Sequence, residues 1–386
     1  MCHENMRCRP YSGRGHDDPF RMMREDRRVT ECTHWWGMSD NGLYGEPNRR
    51  HRTVTSVDTS AREQPGNRSE FGHTSVRTGL VRALSVILPP MNRLRIGLVG
   101  TGPWASATHA PALAGHPGVE LGGVWGRRPE AAAALAATHA TTAYADVDEL
   151  FAACDAVAFA VPPDVQAPLA ARAAAAGCHL LLDKPVATSV EGARDLVAAT
   201  ERAGVASVVF FTLRFAPATS AWVAQQASVG GWFTGRADWY GSFYAPDGGD
   251  AAFSSPWRAG RGGLWDVGPH ALSVLIPVLG DVTSVTAAQG AGDTTHLILR
   301  HTGGASSTAA LSLTAPVKGA GLTVELRGEI GTALLPGWDG PGEAFRTAID
   351  GLVEGAHGGG PHACDARFGL RVTEILAEAE AQIARA

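Results

Sequence analysis

Residues 94–105 read LRIGLVGTGPWA. The first six, LRIGLV, make a short apolar run of the kind buried on both faces of a parallel sheet. They lead into the GxGxxA turn Gly100-Thr101-Gly102-Pro103-Trp104-Ala105, and helix-forming ATHAPALAGH follows. In such a strand–turn–helix, Gly100 permits the tight turn and Gly102 lets backbone approach a pyrophosphate. Ala105 allows close helix–strand packing. The pyrophosphate would rest on the helix N-terminus, where free N–H groups and the helix dipole favour negative charge. A GxGxxA pattern is common by itself. Its place between a strand and a helix marks these six residues as a dinucleotide-binding turn.

The next strand, VELGGVW at 119–125, bears on cofactor choice. NAD-specific sites carry an acid about 20 residues beyond the glycines, bonded to the ribose 2′-OH. Here Gly126-Arg127-Arg128 follows the strand. A small uncharged residue leaves room for a 2′-phosphate, which a guanidinium can pair bidentately. The reading favours NADP over NAD, with Arg127 and Arg128 at the phosphate. The same residues also read as a solvated arginine pair opening the helix RRPEAAAALAATHA.

Strand and helix patterns go on alternating through residue 212. A helix is expected over 146–153 and a strand over AVAFAV at 156–161, then an Ala-rich helix over 164–177. HLLL at 179–182 delivers Asp183-Lys184-Pro185, a further helix follows Ser189, and a strand covers 205–211. Such alternation implies a doubly wound parallel sheet with its site at the strand C-terminal ends. Val161-Pro162 and Asp183-Lys184 both fall there. Lys184 stands out because the chain has only two lysines, Lys184 and Lys318, against 31 arginines. An ammonium can titrate and donate to a substrate oxygen, which guanidinium cannot do as an acid or base.

Beyond residue 212 the pattern changes. Strands are expected at 231–245, 281–289, 294–301, 305–315, 320–328 and 331–336, separated by Gly-rich turns. Runs of strands without helices imply a mixed, largely antiparallel sheet, so the chain reads as an α/β Rossmann half joined to an α+β half. A helix over 263–279 would carry Asp266 and His270 one turn apart on one face. There a carboxylate and an imidazole can converge on one substrate carbon; a capping Asp and a core-facing His are the plain alternative. Arg258 suits either a substrate hydroxyl or carboxylate, or an ion pair. Trp232, Trp239, Trp257 and Trp265 suit pocket walls or core filling. Two closing helices are expected at 343–356 and 365–385.

Composition bounds the rest. Hydrophobic residues make up 45% of the 386 residues, enough for a sizeable core. A net charge of −5 speaks against a nucleic-acid partner. No apolar run approaches the roughly 20 residues needed to span a membrane. Six cysteines without a CxxC pair argue against a disulfide framework or thiolate zinc site and fit the cytoplasm. Residues 1–90 hold 14 arginines, no lysine and 11 acids, without sustained periodicity. They are expected to be disordered and dispensable, with Met91 as the functional start. A chain beginning at Met91 should match the full chain in kinetics and melting temperature; a collapse of either shows that the extension is structural.

Several of these stretches together resemble the Gfo/Idh/MocA oxidoreductases (glucose–fructose oxidoreductase, inositol dehydrogenase and relatives). The matching stretches are GLVGTGPWA at 97–105, VPP at 161–163, LLLDKPVATS at 180–189, TLRFAP at 212–217, SPWR at 255–258 and GGLWDVGPHALS at 262–273. They occur in family order and cover roughly 91–386. The resemblance implies a Rossmann domain over 91–212 and a substrate-binding, oligomer-forming domain over 213–386, its open-faced sheet making the dimer or tetramer contacts. Lys184 takes the place of the family lysine that contacts nicotinamide and substrate. His270 takes that of the general acid/base, Asp266 that of the substrate-placing aspartate, and Arg214 that of a site-lining arginine. Four positions depart from the pattern: Asp183 for glutamate, Gln166 for a frequent histidine, Thr212 for a frequent asparagine beside nicotinamide, and Ser273 for a frequent aspartate.

The activity implied is NAD(P)-dependent hydride transfer at a carbinol or carbonyl carbon of a sugar, polyol or similar small polar molecule. It needs no metal. Two other readings stand beside it: a redox-neutral, glycoside-cleaving relative that retains its dinucleotide, and a catalytically silent dinucleotide sensor. Loss of Lys184 or His270 would favour the sensor, and both residues are present.

Overall fold

The computed structural model describes residues 93–248 and 255–385. The expectations for residues 1–90 lie outside them. In the first half, β1 (Leu94–Val99) passes through the glycine turn into a π-helical turn (Ala105–His109) and α1 (Ala110–Gly115). Next come β2 (Val119–Trp125), α2 (Pro129–Thr138), α3 (Val147–Ala152), β3 (Ala156–Phe159) and α4 (Pro163–Ala175). The half ends with β4 (His179–Asp183), α5 (Val190–Ala203) and β5 (Ser207–Phe210). The five strands pair in parallel in the order β2-β1-β3-β4-β5. β2 lies on one side of β1 and β3 on the other, so the order reverses there and opens a crevice at the strand C-terminal ends.

These elements follow from the sequence locally. The strands are nearly all buried, as a sheet covered on both faces requires. Ser189 starts α5 by accepting a hydrogen bond from the Gly192 N–H, and Gly204, at φ 65°, ends it in a left-handed cap. Asp146 caps α3 in the same way as Ser189.

The second half runs α6 (Pro217–Val229), β6 (Trp232–Tyr240), α7 (Pro256–Asp266) and α8 (Gly268–Leu279). It continues with β7 (Val282–Gln289), β8 (Thr295–His301), β9 (Ser306–Ser312), β10 (Gly321–Gly328) and β11 (Gly331–Leu334). They form a six-stranded sheet, β11-β10-β6-β9-β8-β7, antiparallel except where β6 and β9 run in parallel. α8 packs on its inner face against β6 and β9. The closing helices, α9 (Pro341–Ala356) and α10 (Ala366–Ile383), return to the first sheet. Phe345 of α9 meets Phe210 edge-on, at 4.9 Å between ring centres, and tilts over His109 at 4.1 Å.

The single helix expected over 263–279 is two helices. Pro269 has no N–H to give the Trp265 carbonyl, so the ladder breaks and α8 starts afresh with proline in its first turn. Val267 bridges the two at φ −101° and ψ −21°, so Asp266 ends α7 while His270 lies in the first turn of α8. A second kink sits within α7 at Gly262, whose φ of 63° suits glycine. β6 is also shorter than the sequence suggests, ending at Tyr240 rather than 245. Among the described residues no helix is long and apolar enough to cross a membrane.

Candidate active site

β4 carries Lys184 just past its last residue, at the crevice, and α7 approaches from the second half. The Lys184 Nζ donates to the Asp266 backbone oxygen at 2.6 Å and to the Asp266 Oδ1 at 2.8 Å. Both side chains are nearly closed to solvent, 8% and 4% exposed, so this ion pair lies in a low-dielectric setting. Arg258 donates its Nε to the same Oδ1 at 3.1 Å. Of its two readings from sequence, the ion pair is the one observed. Ser255, which accepts the Arg258 backbone N–H, caps α7 and orients this arginine.

The electrostatics follow from that geometry. Burial drives the Asp266 carboxyl up, but Lys184 and Arg258 outweigh it and hold it well below the ordinary carboxylate range. His270 is 1% exposed, and its ring stacks on Trp239 of β6 at 5.1 Å. Burial, with the Lys184 charge adding to it, drives the His270 imidazole well below its ordinary value. It is therefore neutral at physiological pH and able to accept a proton. Burial raises the Asp183 carboxyl, against the pull of Lys184, and Trp104 donates a hydrogen bond to it. The cluster thus holds a charged ammonium, an ionised carboxylate and a neutral imidazole. Together they can hydrogen-bond a substrate oxygen and take its proton.

Not every residue singled out from sequence joins this cluster. Arg214 donates to the Ser273 carbonyl at 3.1 Å and lies over the Phe368 ring, tying the chain after β5 to α8. Thr212 is buried, its backbone oxygen closing the turn that leads to α6. Trp232 and Trp265 are core residues whose indole N–H groups go to Gln226 O and Glu380 Oε1. Ser273 turns its hydroxyl back to the His270 carbonyl.

Sequence reasoning passed over Asp293, in the loop between β7 and β8. Its carboxylate accepts from the backbone N–H groups of Gly263, Leu313 and Thr314 and from the hydroxyls of Ser312 and Thr314. It pins Gly263, just after the kink of α7 and three residues before Asp266, to the end of β9. An acid between Gly-rich turns and threonines carries no sequence signal for that role, because its partners lie about 20 and 30 positions away.

The first half fits a dinucleotide. A Cβ at Gly100, φ 132°, would lie 2.4 Å from the Ala160 oxygen, so only glycine lets β1 turn that close to the chain leaving β3. A Cβ at Gly102 would meet nothing within 4 Å, leaving open space above the turn for a pyrophosphate. Ala105 is fully buried against the sheet. Thr101 and Pro103 flank these positions, and Val161-Pro162 follow the end of β3 on the neighbouring crest. At the end of β2, a Cβ on Gly126 would come within 2.6 Å of the Thr101 methyl, so no acid fits without displacing Thr101. Arg127 and Arg128 are exposed and make no ion pair among the described residues.

Fold and site together define a Rossmann-type, dinucleotide-binding half joined to an α+β half that brings Asp266 to Lys184. A family description, oxidoreductase family with NAD-binding Rossmann fold, matches residues 94–211, and the Gfo/Idh/MocA C-terminal domain matches 228–334. The chain belongs to the Gfo/Idh/MocA oxidoreductases. It is 28% identical over 201 residues to the uncharacterized oxidoreductase YdgJ of Escherichia coli (strain K12), covering 50% of this chain and 56% of that protein. It is 33% identical over 146 residues to the D-apiose dehydrogenase of Paraburkholderia graminis, covering 35% and 37%. The chain thus spans about half the length of the first of these relatives and less of the second. The WlbA dehydrogenase of Bordetella pertussis, solved with NADH and UDP-GlcNAcA, shares the fold with a TM-score of 0.64 and 23% identity, over 76% of this chain and 97% of that one.

Proposed function

We propose that this protein is a dehydrogenase that transfers hydride between NADP(H), in preference to NAD(H), and a carbinol or carbonyl carbon of a sugar, polyol or sugar derivative. The observation that carries the reading is the buried Lys184–Asp266 pair, with the buried His270 imidazole four residues on in the first turn of α8. Nicotinamide, when bound, supplies the hydride acceptor or donor. In the oxidative direction the His270 imidazole takes the hydroxyl proton. Lys184, held by Asp266, donates to the same oxygen and stabilises its developing negative charge. Sugar-acting relatives such as the D-apiose dehydrogenase support the substrate class. A panel of sugars, inositols and imines, assayed by nicotinamide absorbance with each dinucleotide, tests it. Turnover of at least one sugar or polyol is expected; none with either dinucleotide removes the reading.

The preference for NADP(H) rests on Gly126 and the two unpaired guanidiniums beside it. Replacing Arg127 with alanine should weaken NADP(H) binding by about 1.5–3 kcal/mol, the cost of a lost charge-assisted hydrogen bond, and leave NAD(H) nearly unchanged. Equal losses for both, or a native enzyme that prefers NAD(H), would overturn the preference. A homo-oligomer through the second sheet and a cytoplasmic location belong to the same reading. The sheet's outward Phe233, Ile298 and Leu334 are 63%, 55% and 58% exposed, and their burial against another copy would supply the drive for association.

A further inference from the structure

We infer that Gln166 is the positioning residue for Lys184. This rests on the reading of Lys184 as the donor to the reacting oxygen. Gln166 lies in the first turn of α4 and is 1% exposed. β4 pairs with β3 only as far as Leu181, because β3 ends at Phe159 and its chain turns away into α4. Asp183 is thereby left without a strand partner on that side. The Gln166 side chain takes the strand's place. Its Oε1 accepts the Asp183 N–H at 2.8 Å, and its Nε2 donates to the Asp183 oxygen at 2.8 Å. The Pro185 and Val186 oxygens also lie 3.3 Å from Nε2.

One carboxamide therefore grips the backbone on both sides of Lys184. Only one orientation of the amide serves, since a flip would set NH₂ against the Asp183 N–H and the oxygen against three carbonyls. The Lys184 N–H is itself held by Asp183 Oδ1 at 2.8 Å. With its backbone fixed at these points, the long lysine side chain reaches Asp266 from a set origin, and that origin decides where Nζ meets a substrate oxygen. No other side chain makes this two-sided contact among the described residues. Glutamate would keep the acceptor, lose both donors and face three carbonyls with negative charge. Methionine would keep the length and lose every bond.

The two-lysine composition gives a readout independent of turnover. With lysine-selective nitrogen labelling, Lys184 should show a slowly exchanging ammonium signal, because its N–H groups are bonded and buried. Lys318, exposed in its turn, should exchange too fast to be seen. The Lys184→Ala variant assigns the signal. In the full chain carrying Gln166→Met, ammonium exchange at Lys184 should rise by about 10-fold or more, the factor that one lost hydrogen bond represents. Turnover should fall by about 10–100-fold, as for a donor displaced by about an ångström, with NADPH affinity measured by fluorescence altered far less. Gln166→Asn, one methylene shorter with the amide kept, should recover part of both and serves if the methionine variant does not fold. An unchanged Lys184 signal in a folded variant, confirmed by circular dichroism, overturns the inference. A disturbed signal with undiminished turnover leaves Gln166 in its role and removes Lys184 from the chemistry instead.

Discussion

Turnover of the His270→Ala and Lys184→Ala variants is expected to fall by about 10²–10⁴-fold, the range for losing a positioned acid, base or donor. The measurement is the initial rate on whichever panel substrate proves active, with dinucleotide affinity followed separately by fluorescence. For His270 the loss should lie almost wholly in the rate, because the residue belongs to the second half and is held neutral among Trp239, Lys184 and Asp266. For Lys184 both quantities move, since it stands at the end of β4 beside the expected nicotinamide. Its removal also leaves the buried Asp266 carboxylate with Arg258 as its remaining cation, so a stability loss of the order of 3 kcal/mol accompanies it. His270 therefore gives the cleaner test. The double variant should be little worse than the worse single one if both act on one oxygen. Near-normal turnover by a folded His270→Ala protein would sink the acid/base assignment and favour the silent-sensor reading.

The second large effect is on stability against pH. His109 is fully buried between Phe345 and Trp104, with the Asp183 Oδ2 4.0 Å away, and burial lowers its imidazole to about 3. The unfolded chain takes up that proton near the ordinary value of 6.5, so between 6.5 and about 3 the unfolded state binds one proton more. The His109 contribution is therefore complete above pH 6.5 and is lost as the pH falls, by about 1.4 kcal/mol per unit, or ~2 kcal/mol at pH 5. His270, lowered by burial with Lys184 adding to it, steepens the slope in the same direction. Asp183, raised by burial, opposes it nearer its own range, and Asp293, lowered by its hydrogen bonds against burial, matters only at lower pH. Urea midpoints measured from pH 7 to pH 5 should fall steadily. His109→Phe keeps an aromatic ring on Phe345 and should flatten the slope by one proton. An unchanged slope in that variant would remove His109 as a cause.

Periodicity and turn chemistry made most of the scaffold readable from sequence. LRIGLV, AVAFAV and HLLL announced strands because short apolar runs have no other stable use beside glycine turns and amphipathic helices. The glycine turn was legible because a φ of 132° at Gly100 is a local demand that the residue type itself records. Lys184 stood out through composition. The break at Pro269 was written in the sequence as well, but the apolar pattern running through 263–279 hid it.

The meetings across long stretches of chain belong to the tertiary structure. Lys184 and Asp266 are 82 positions apart, and only the return of α7 onto the end of β4 makes them one ion pair. Within the kinked α7 Arg258 reaches Asp266, and across 59 positions Arg214 reaches the Ser273 carbonyl. Asp293 lies under the α7 kink from 30 positions away, and the early end of β3 lets a glutamine from α4 complete the edge of β4. A residue's local pattern records which face must be buried, because burial acts on one side chain at a time. It does not record which distant polar group will satisfy a buried donor or charge. That pairing is set by where the strands end and the helices cross, and it alone decides which carboxylate is ionised and which imidazole stays neutral.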